Sequence, residues 1–282
     1  MASTRPRLWT VVLAIVFTPI AVALAQAAGI GLLAVWCRVD EDSDWNLLKH
    51  LMKVTASSHA ALLLNGLSQL ATAGIAITAA WLSPQPLTRR LGLTRPKLSV
   101  PEVGVLMLGT IVPSALGVAL ASRVRSLAED IPSADVDRVI QNHSSVFIIY
   151  ISLVPAIAEE LLFRGYIQLR LLERWPGWLA VVVSSMLFAV QHVGVYTSIC
   201  ALATGLWFGV VAWRTRSVIP SMLCHMFINL LWAVVNSWRS QQMGSDVLMN
   251  ICYVALVIIG CCAFLFSIYI LVMSCDNVCD AH

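Results

Sequence analysis

The chain has 282 residues, of which 59% are hydrophobic and 12% are charged, and its mean hydropathy is +0.82. Soluble globular domains carry about 25% charged residues, so this composition excludes a soluble domain and indicates an integral membrane protein. The net charge of +3 is small, and the basic residues lie between apolar runs, where they orient membrane helices. Binding to nucleic acid is therefore not expected.

The first apolar run covers about residues 8–36 and follows Arg5 and Arg7. The small residues Ala25 and Ala27 within it imitate the cleavage site of a signal peptide. The run continues past them, however, and is long enough to cross a bilayer. We therefore expect an uncleaved first transmembrane helix.

Seven further apolar runs follow, and each is a candidate transmembrane helix. They cover about residues 56–82, 100–121, 145–165, 179–193, 198–213, 218–238 and 247–273. The fifth and sixth runs of the chain, 179–193 and 198–213, are short for a full crossing, so tilt, a break or burial inside the bundle is expected. The sequence predicts an all-α polytopic membrane protein with about eight transmembrane helices in one bundle.

Basic residues occupy alternate loops between the runs, and the positive-inside rule then places both termini in the cytoplasm. The residues concerned are Arg5, Arg7, Arg89, Arg90, Arg95, Lys97, Arg170, Arg174, Arg214 and Arg216. We divide the chain into N-terminal transmembrane helices (1–145), a core with polar residues (146–238), and a C-terminal transmembrane helix with a short tail (239–282).

Three formal charges lie inside the fourth apolar run. A charge near the centre of a membrane helix costs about 2.5–3.5 kcal/mol on insertion scales, so their presence suggests a function. Glu160 and Arg164 are four residues apart, which predicts a structural or substrate-orienting ion pair on one helix face. Glu159 projects about 100° around the helix, and the best candidates for its partners are His192 and His225.

Two later runs carry polar residues at helical spacing. Phe188 and His192 are four residues apart in the fifth run, and His225 and Asn229 are four apart in the seventh. Each pair therefore projects from one helix face, and polar groups on three apolar helices satisfy one another by converging on a shared cavity. Counted from the basic end, His192 lies deeper than Glu159, so we expect the fifth helix to start high, tilt or re-enter.

This combination suits hydrolysis of an acyl bond. Glu159 with His192 can hold and deprotonate a water molecule, while His225 and Asn229 can donate hydrogen bonds to the developing oxyanion. A metal is the alternative, because one glutamate and two histidines, here Glu159, His192 and His225, are a common zinc donor set. The motif HExxH is absent. Spacing leaves the cofactor open between one divalent metal such as zinc and none.

Taken in order, three motifs resemble those of the CAAX protease and bacteriocin-processing family of intramembrane endopeptidases, also called the CPBP or Abi family. The likeness covers about residues 146–238, and Gly165 closes the first motif in the expected way. The motifs are Glu159-Glu160-x-x-x-Arg164, Phe188-x-x-x-His192 and His225-x-x-x-Asn229.

The resemblance implies an α-helical membrane fold with a cavity open to the cytosolic side. It also implies a CAAX prenyl protease-like endopeptidase that acts on a membrane-associated protein or peptide among membrane lipids, by a metal-dependent or a glutamate-dependent mechanism. We expect it in the plasma (inner) membrane of a bacterium. By position, the catalytic roles fall to Glu159, His192, His225 and Asn229, and the structural or substrate-orienting roles fall to Glu160, Arg164 and Phe188.

Two other hypotheses use the same polar residues. A non-enzymatic membrane scaffold or immunity protein would need the cluster for structure alone, so that Glu159→Gln would leave its function intact. A transporter or proton relay would need a polar track through both leaflets. The first, second, third and eighth apolar runs carry few polar groups, which speaks against such a track.

Overall fold

The computed structural model describes residues 8–38, 58–127, 145–192, 194–240 and 246–279. Every regular element within these ranges is helical. In chain order the elements are α1 Trp9–Arg38, α2 Ser58–Trp81, α3 Leu87–Arg90, α4 Val100–Gly109, α5 Ile111–Leu127, α6 Ser145–Glu160, a π-helical segment Leu161–Gln168, α7 Leu169–Leu172, α8 Gly177–Val190, α9 Val195–Thr215, α10 Val218–Ser240 and α11 Asp246–Cys279.

Six stretches of the described helices are long and apolar enough to cross a membrane. They are Trp9–Val35, Leu62–Trp81, Val100–Val124, Val195–Thr215, Val218–Trp238 and Asn250–Met273, and α8 is a shorter apolar helix. The predicted all-α polytopic membrane bundle is confirmed, whereas the predicted count of eight spans is approximate. The charged fourth run is not one uninterrupted α-helix, because its winding changes after Glu160.

The predicted membrane orientation rests on loops that the structure covers only in part. Arg5 and Arg7 lie outside the described residues, and so do the segments 39–57 and 128–144. The cytoplasmic placement of both termini therefore stays a prediction.

Large apolar side chains are exposed along the outer helices. Leu24, Leu32 and Val35 of α1 are 67%, 64% and 66% exposed, and Leu265 of α11 is 68% exposed. Apolar exposure on this scale is expected where the solvent is lipid and not water. Because α1 packs on α2 and α11 packs on α4 and α5, these two helices form the lipid-facing rim.

The helix that carries the charges lies inside this rim. α6 packs on α2 and α10, and the π-helical segment packs on α2, α6 and α8. All eight residues of the π-helical segment are buried. π-helical turns are rare and often occur at functional sites, and this one directly follows Glu159 and Glu160.

Gly165 lets the π-helical segment lie against the loop after α3. A Cβ atom at Gly165 would be 2.7 Å from the carbonyl oxygen of Leu91, well inside van der Waals contact. Gly92, the residue after Leu91, has a φ of +65°, and its carbonyl accepts a hydrogen bond from the Val218 amide at 2.9 Å. The loop therefore joins the π-helical segment to the start of α10, the helix that carries His225.

We expect Gly165→Ala to lower the free energy of unfolding by about 1–3 kcal/mol, because the new methyl group must displace backbone and not a flexible side chain. Gly104→Ala is the matched control in α4, where an added Cβ would meet nothing within 4 Å and helix propensity favours alanine. Thermal unfolding in detergent measures both. Equal midpoints for the two variants would contradict the close packing at Gly165.

Candidate active site

Glu160 and Arg164 form an ion pair in the interior of the bundle. Arg164 Nη1 lies 2.8 Å from Glu160 Oε1, and neither side chain is exposed. Arg164 Nη2 donates to the carbonyl of Gly205 in α9 at 2.9 Å. Its guanidinium lies over the Phe188 ring of α8, 4.4 Å from the centroid. The predicted i,i+4 pair is therefore present, and it connects α6 and the π-helical segment to two further helices.

A second buried contact repeats this arrangement four residues further on. Gln168 Nε2 donates to the carbonyl of Gly209 at 2.9 Å, as Arg164 does to that of Gly205. The hydroxyl of Ser184 in α8 donates to Gln168 Oε1 at 2.9 Å. Four residues separate the two donors and also the two acceptors, so the π-helical segment and α9 are held in register.

His225 of α10 lies between the two glutamates. Its Nδ1 is 3.3 Å from Glu160 Oε1, and its Nε2 is 3.9 Å from Glu159 Oε2. The Phe208 ring stacks on the imidazole at 4.8 Å between centroids, and the Phe188 ring meets it edge-on at 5.8 Å. Two aromatic rings and a carboxylate thus fix the orientation of the imidazole.

The orientation of His225 decides what its two nitrogens can do. When Nδ1 carries a proton, it donates that proton to Glu160, and Nε2 is left facing Glu159. The 3.9 Å from Nε2 to Glu159 Oε2 is longer than a hydrogen bond. A water oxygen about 2.8 Å from each atom fits this separation. The pair can therefore hold one water beside a carboxylate.

Glu159 is the accessible carboxylate of the two. Its side chain is 16% exposed, whereas that of Glu160 is fully buried. Gln69 Nε2 of α2 donates to Glu159 Oε1 at 3.1 Å, which leaves Oε2 as the oxygen that faces His225. A carboxylate that is held at one oxygen and partly exposed suits a general base.

His192 packs against Phe188, one of the two aromatic residues that contact His225. Its ring meets that of Phe188 edge-on at 4.8 Å between centroids, and its Nδ1 is 3.0 Å from the Phe188 carbonyl oxygen. The Ser198 hydroxyl holds the His192 carbonyl at 2.9 Å. In the described part of the chain, no hydrogen bond or ion pair joins His192 to Glu159. Phe188 is the residue that contacts both histidine rings, His192 and His225.

The depth difference expected between Glu159 and His192 is small in the structure. α6, the π-helical segment and α7 form one continuous helix to Leu172, and α8 begins at Gly177 after a short turn. Counted from this turn, Glu159 lies thirteen residues along one helix and His192 fifteen along the next. The expected tilt or re-entry of the fifth helix stays a prediction.

Asn229 follows His225 by about one turn of α10 and is partly buried. Its carboxamide makes no hydrogen bond to any residue that the structure describes. The role expected for Asn229 therefore stays a prediction.

Gln69 and Phe208 contact the site although neither was identified from the sequence. A signal for Gln69 was present, because Asn65 and Gln69 stand four residues apart in the second apolar run, the spacing that identified the other polar pairs. Phe208 gave no such signal, since an aromatic residue in an apolar helix looks the same as any core residue.

The residues present do not fit a metal site. Among the described side chains, no group of three or more His, Cys, Asp and Glu residues could hold a metal ion. In the predicted set of Glu159, His192 and His225, the His225 ring faces the two glutamates. Nδ1 of His192 lies instead at the Phe188 carbonyl.

Residues 141–231 match the model of a protein family described as type II CAAX prenyl endopeptidase Rce1-like. The matched segment is about a third of the chain, and it contains all three motifs on which the predicted family resemblance rests. That resemblance is confirmed. No curated protein and no solved structure matches the chain.

We expect Arg164→Met to lower the free energy of unfolding by about 3–5 kcal/mol, because it leaves Glu160 buried without its cation. Arg174→Met is the control: Arg174 is exposed, and a surface substitution of this kind changes stability by about 0.5 kcal/mol or less. Thermal unfolding in detergent compares the two. If Arg164→Met lowered the free energy of unfolding as little as Arg174→Met does, the buried pair would add nothing to stability.

Proposed function

We propose that this chain, which carries an Rce1-like domain over residues 141–231, is an intramembrane endopeptidase that hydrolyses a peptide bond of a membrane-associated protein or peptide. The family match supports a protease, and the apolar helices support an integral membrane protein. The finer assignment of residues to catalytic steps is our proposal.

One observation carries it: Glu159 Oε2 and His225 Nε2 face each other across 3.9 Å inside an apolar bundle. The buried ion pair of Glu160 and Arg164, by contrast, is closed at 2.8 Å. The open separation and the partial exposure of Glu159 leave room for a reacting water molecule.

In the proposed reaction, Glu159 takes a proton from the water as the water oxygen attacks the carbonyl carbon of the substrate. The tetrahedral intermediate then collapses, the C–N bond breaks, and Glu159 returns the proton to the leaving nitrogen. The products are a carboxylic acid and an amine, so all atoms balance. His192 supports the water from its Nε2, which is free to accept when Nδ1 donates to the Phe188 carbonyl.

His225 and Asn229 are the proposed donors to the oxyanion. Nδ1 of His225 lies 3.3 Å from Glu160 Oε1, and its Nε2 faces the site of the proposed reaction on the side of Glu159. Asn229 adds a second donor from the next turn of the same helix. Donors that are already fixed in place are effective because they need no reorganisation as charge develops. Stacking on Phe208 supplies this rigidity for His225.

We expect Glu159→Gln to lower the rate of peptide cleavage about 100-fold or more while the unfolding midpoint stays unchanged, since glutamine keeps the shape but cannot take a proton. Glu102→Gln is the control and should cleave at the wild-type rate, because Glu102 caps the N-terminus of α4 through Ser99 and glutamine keeps this capping box. The assay uses fluorogenic apolar peptides, and peptides ending in a farnesylated CaaX sequence, in detergent micelles. Full cleavage activity in the Glu159→Gln protein would show that Glu159 is not the general base, whereas a wild-type protein that cleaves no peptide would support the scaffold hypothesis.

We expect Asn229→Ala to lower kcat about 100- to 1000-fold with a small effect on KM, because an oxyanion donor acts in the transition state. Asn236→Ala, two turns further along α10, should retain the wild-type kcat. Steady-state kinetics on the best peptide of the same panel measure both. If Asn229→Ala raised KM alone, Asn229 would bind the substrate and would not stabilise the oxyanion.

A further inference from the structure

The α2 helix brings a polar pair to the active site that the proposed reaction does not use. Gln69 donates from Nε2 to Glu159 Oε1 at 3.1 Å, and Asn65 stands four residues before it on the same helix. The Oε1 atom of Gln69 and the Oδ1 atom of Asn65 are both buried, and neither has a hydrogen-bond partner. A buried acceptor without a partner costs about 1–3 kcal/mol.

The contact between α2 and α6 places this pair beside the site. The Tyr150 hydroxyl of α6 donates to the Leu62 carbonyl of α2 at 3.3 Å, and further along both helices Gln69 meets Glu159. The two helices therefore run parallel, and Asn65 lies between the two contacts. The side chains of Asn65 and Gln69 are partly exposed although their oxygens are covered. Because the terminal torsion of a carboxamide is soft, a small rotation presents an oxygen to a ligand.

The spacing of the two acceptors matches an extended peptide. Residues four apart on an α-helix are about 6.0 Å apart along its axis. In an extended chain the N–H groups on one edge recur every second residue, about 6.6–6.8 Å apart. An extended peptide lying along α2 can therefore donate one N–H to each carboxamide oxygen.

We propose that Asn65 and Gln69 form a substrate subsite that accepts two backbone N–H groups of an extended peptide, and that Gln69 also positions Glu159. The subsite deepens the proposed endopeptidase function and rests on it. Gln69 is a positioning residue in this scheme, because by holding Oε1 of Glu159 it directs Oε2 towards His225 and the water.

The test uses peptides from the panel above that carry a single backbone N-methyl group at each position around the cleaved bond. For the wild type, we expect two positions, two residues apart, at which N-methylation lowers kcat/KM about 5- to 10-fold, as the loss of one hydrogen bond predicts. Asn65→Leu should abolish the penalty at one position, and Gln69→Leu should abolish it at the other.

The same variants separate binding from positioning. Asn65→Leu should raise KM with kcat nearly unchanged, whereas Gln69→Leu should also lower kcat, because Glu159 loses its hydrogen bond. Thr72→Val is the control on the same helix, since the Thr72 hydroxyl donates to its own helix at Ser68, and it should leave the kinetics and the N-methyl penalties unchanged.

Three outcomes would overturn the inference. If the N-methyl penalties persist unchanged in Asn65→Leu and Gln69→Leu, the two oxygens bind water or have a structural role alone. If Thr72→Val has the same effects, the cause is a general disturbance of α2. If the wild-type protein cleaves no peptide of the panel, the proposed function itself fails and the subsite falls with it.

Discussion

The buried ion pair of Glu160 and Arg164 is the interaction on which the rest of the site depends. Neither side chain reaches solvent, and a charge in such surroundings is tolerated only with its partner in place. The guanidinium also binds the Gly205 carbonyl and lies over Phe188, while Glu160 holds His225 at Nδ1. Five helical elements, namely α6, the π-helical segment, α8, α9 and α10, thus take their relative positions from one pair of charges.

This arrangement gives two adjacent glutamates different tasks. Glu160 is fully buried and contacts both Arg164 and His225 through Oε1, whereas Glu159, on the neighbouring face, is 16% exposed. The separation arises from helical geometry, since consecutive residues project about 100° apart. His225 contacts the Glu160 carboxylate and faces that of Glu159. The ion pair therefore orients the imidazole of His225 but takes no part in the proposed reaction.

The sequence predicted two kinds of feature: patterns that recur over a few residues, and charges that cost free energy to bury. Apolar runs gave the membrane bundle, and the spacing of Glu160 and Arg164 gave their ion pair. Features that depend on pairing between distant helices were missed. The contact of Gln69 with Glu159 spans ninety residues, and the π-helical winding after Glu160 has no composition of its own.

The π-helical segment is joined to α9 by two buried hydrogen bonds of 2.9 Å, one to the Gly205 carbonyl and one to the Gly209 carbonyl. These two bonds limit how the bundle can move. Sliding or parting these helices would break both bonds in a medium that offers no replacement donors. The π-helical segment and α9 therefore move as one unit, whereas α2 is joined to α6 by hydrogen bonds of 3.1 Å at Gln69 and 3.3 Å at Tyr150.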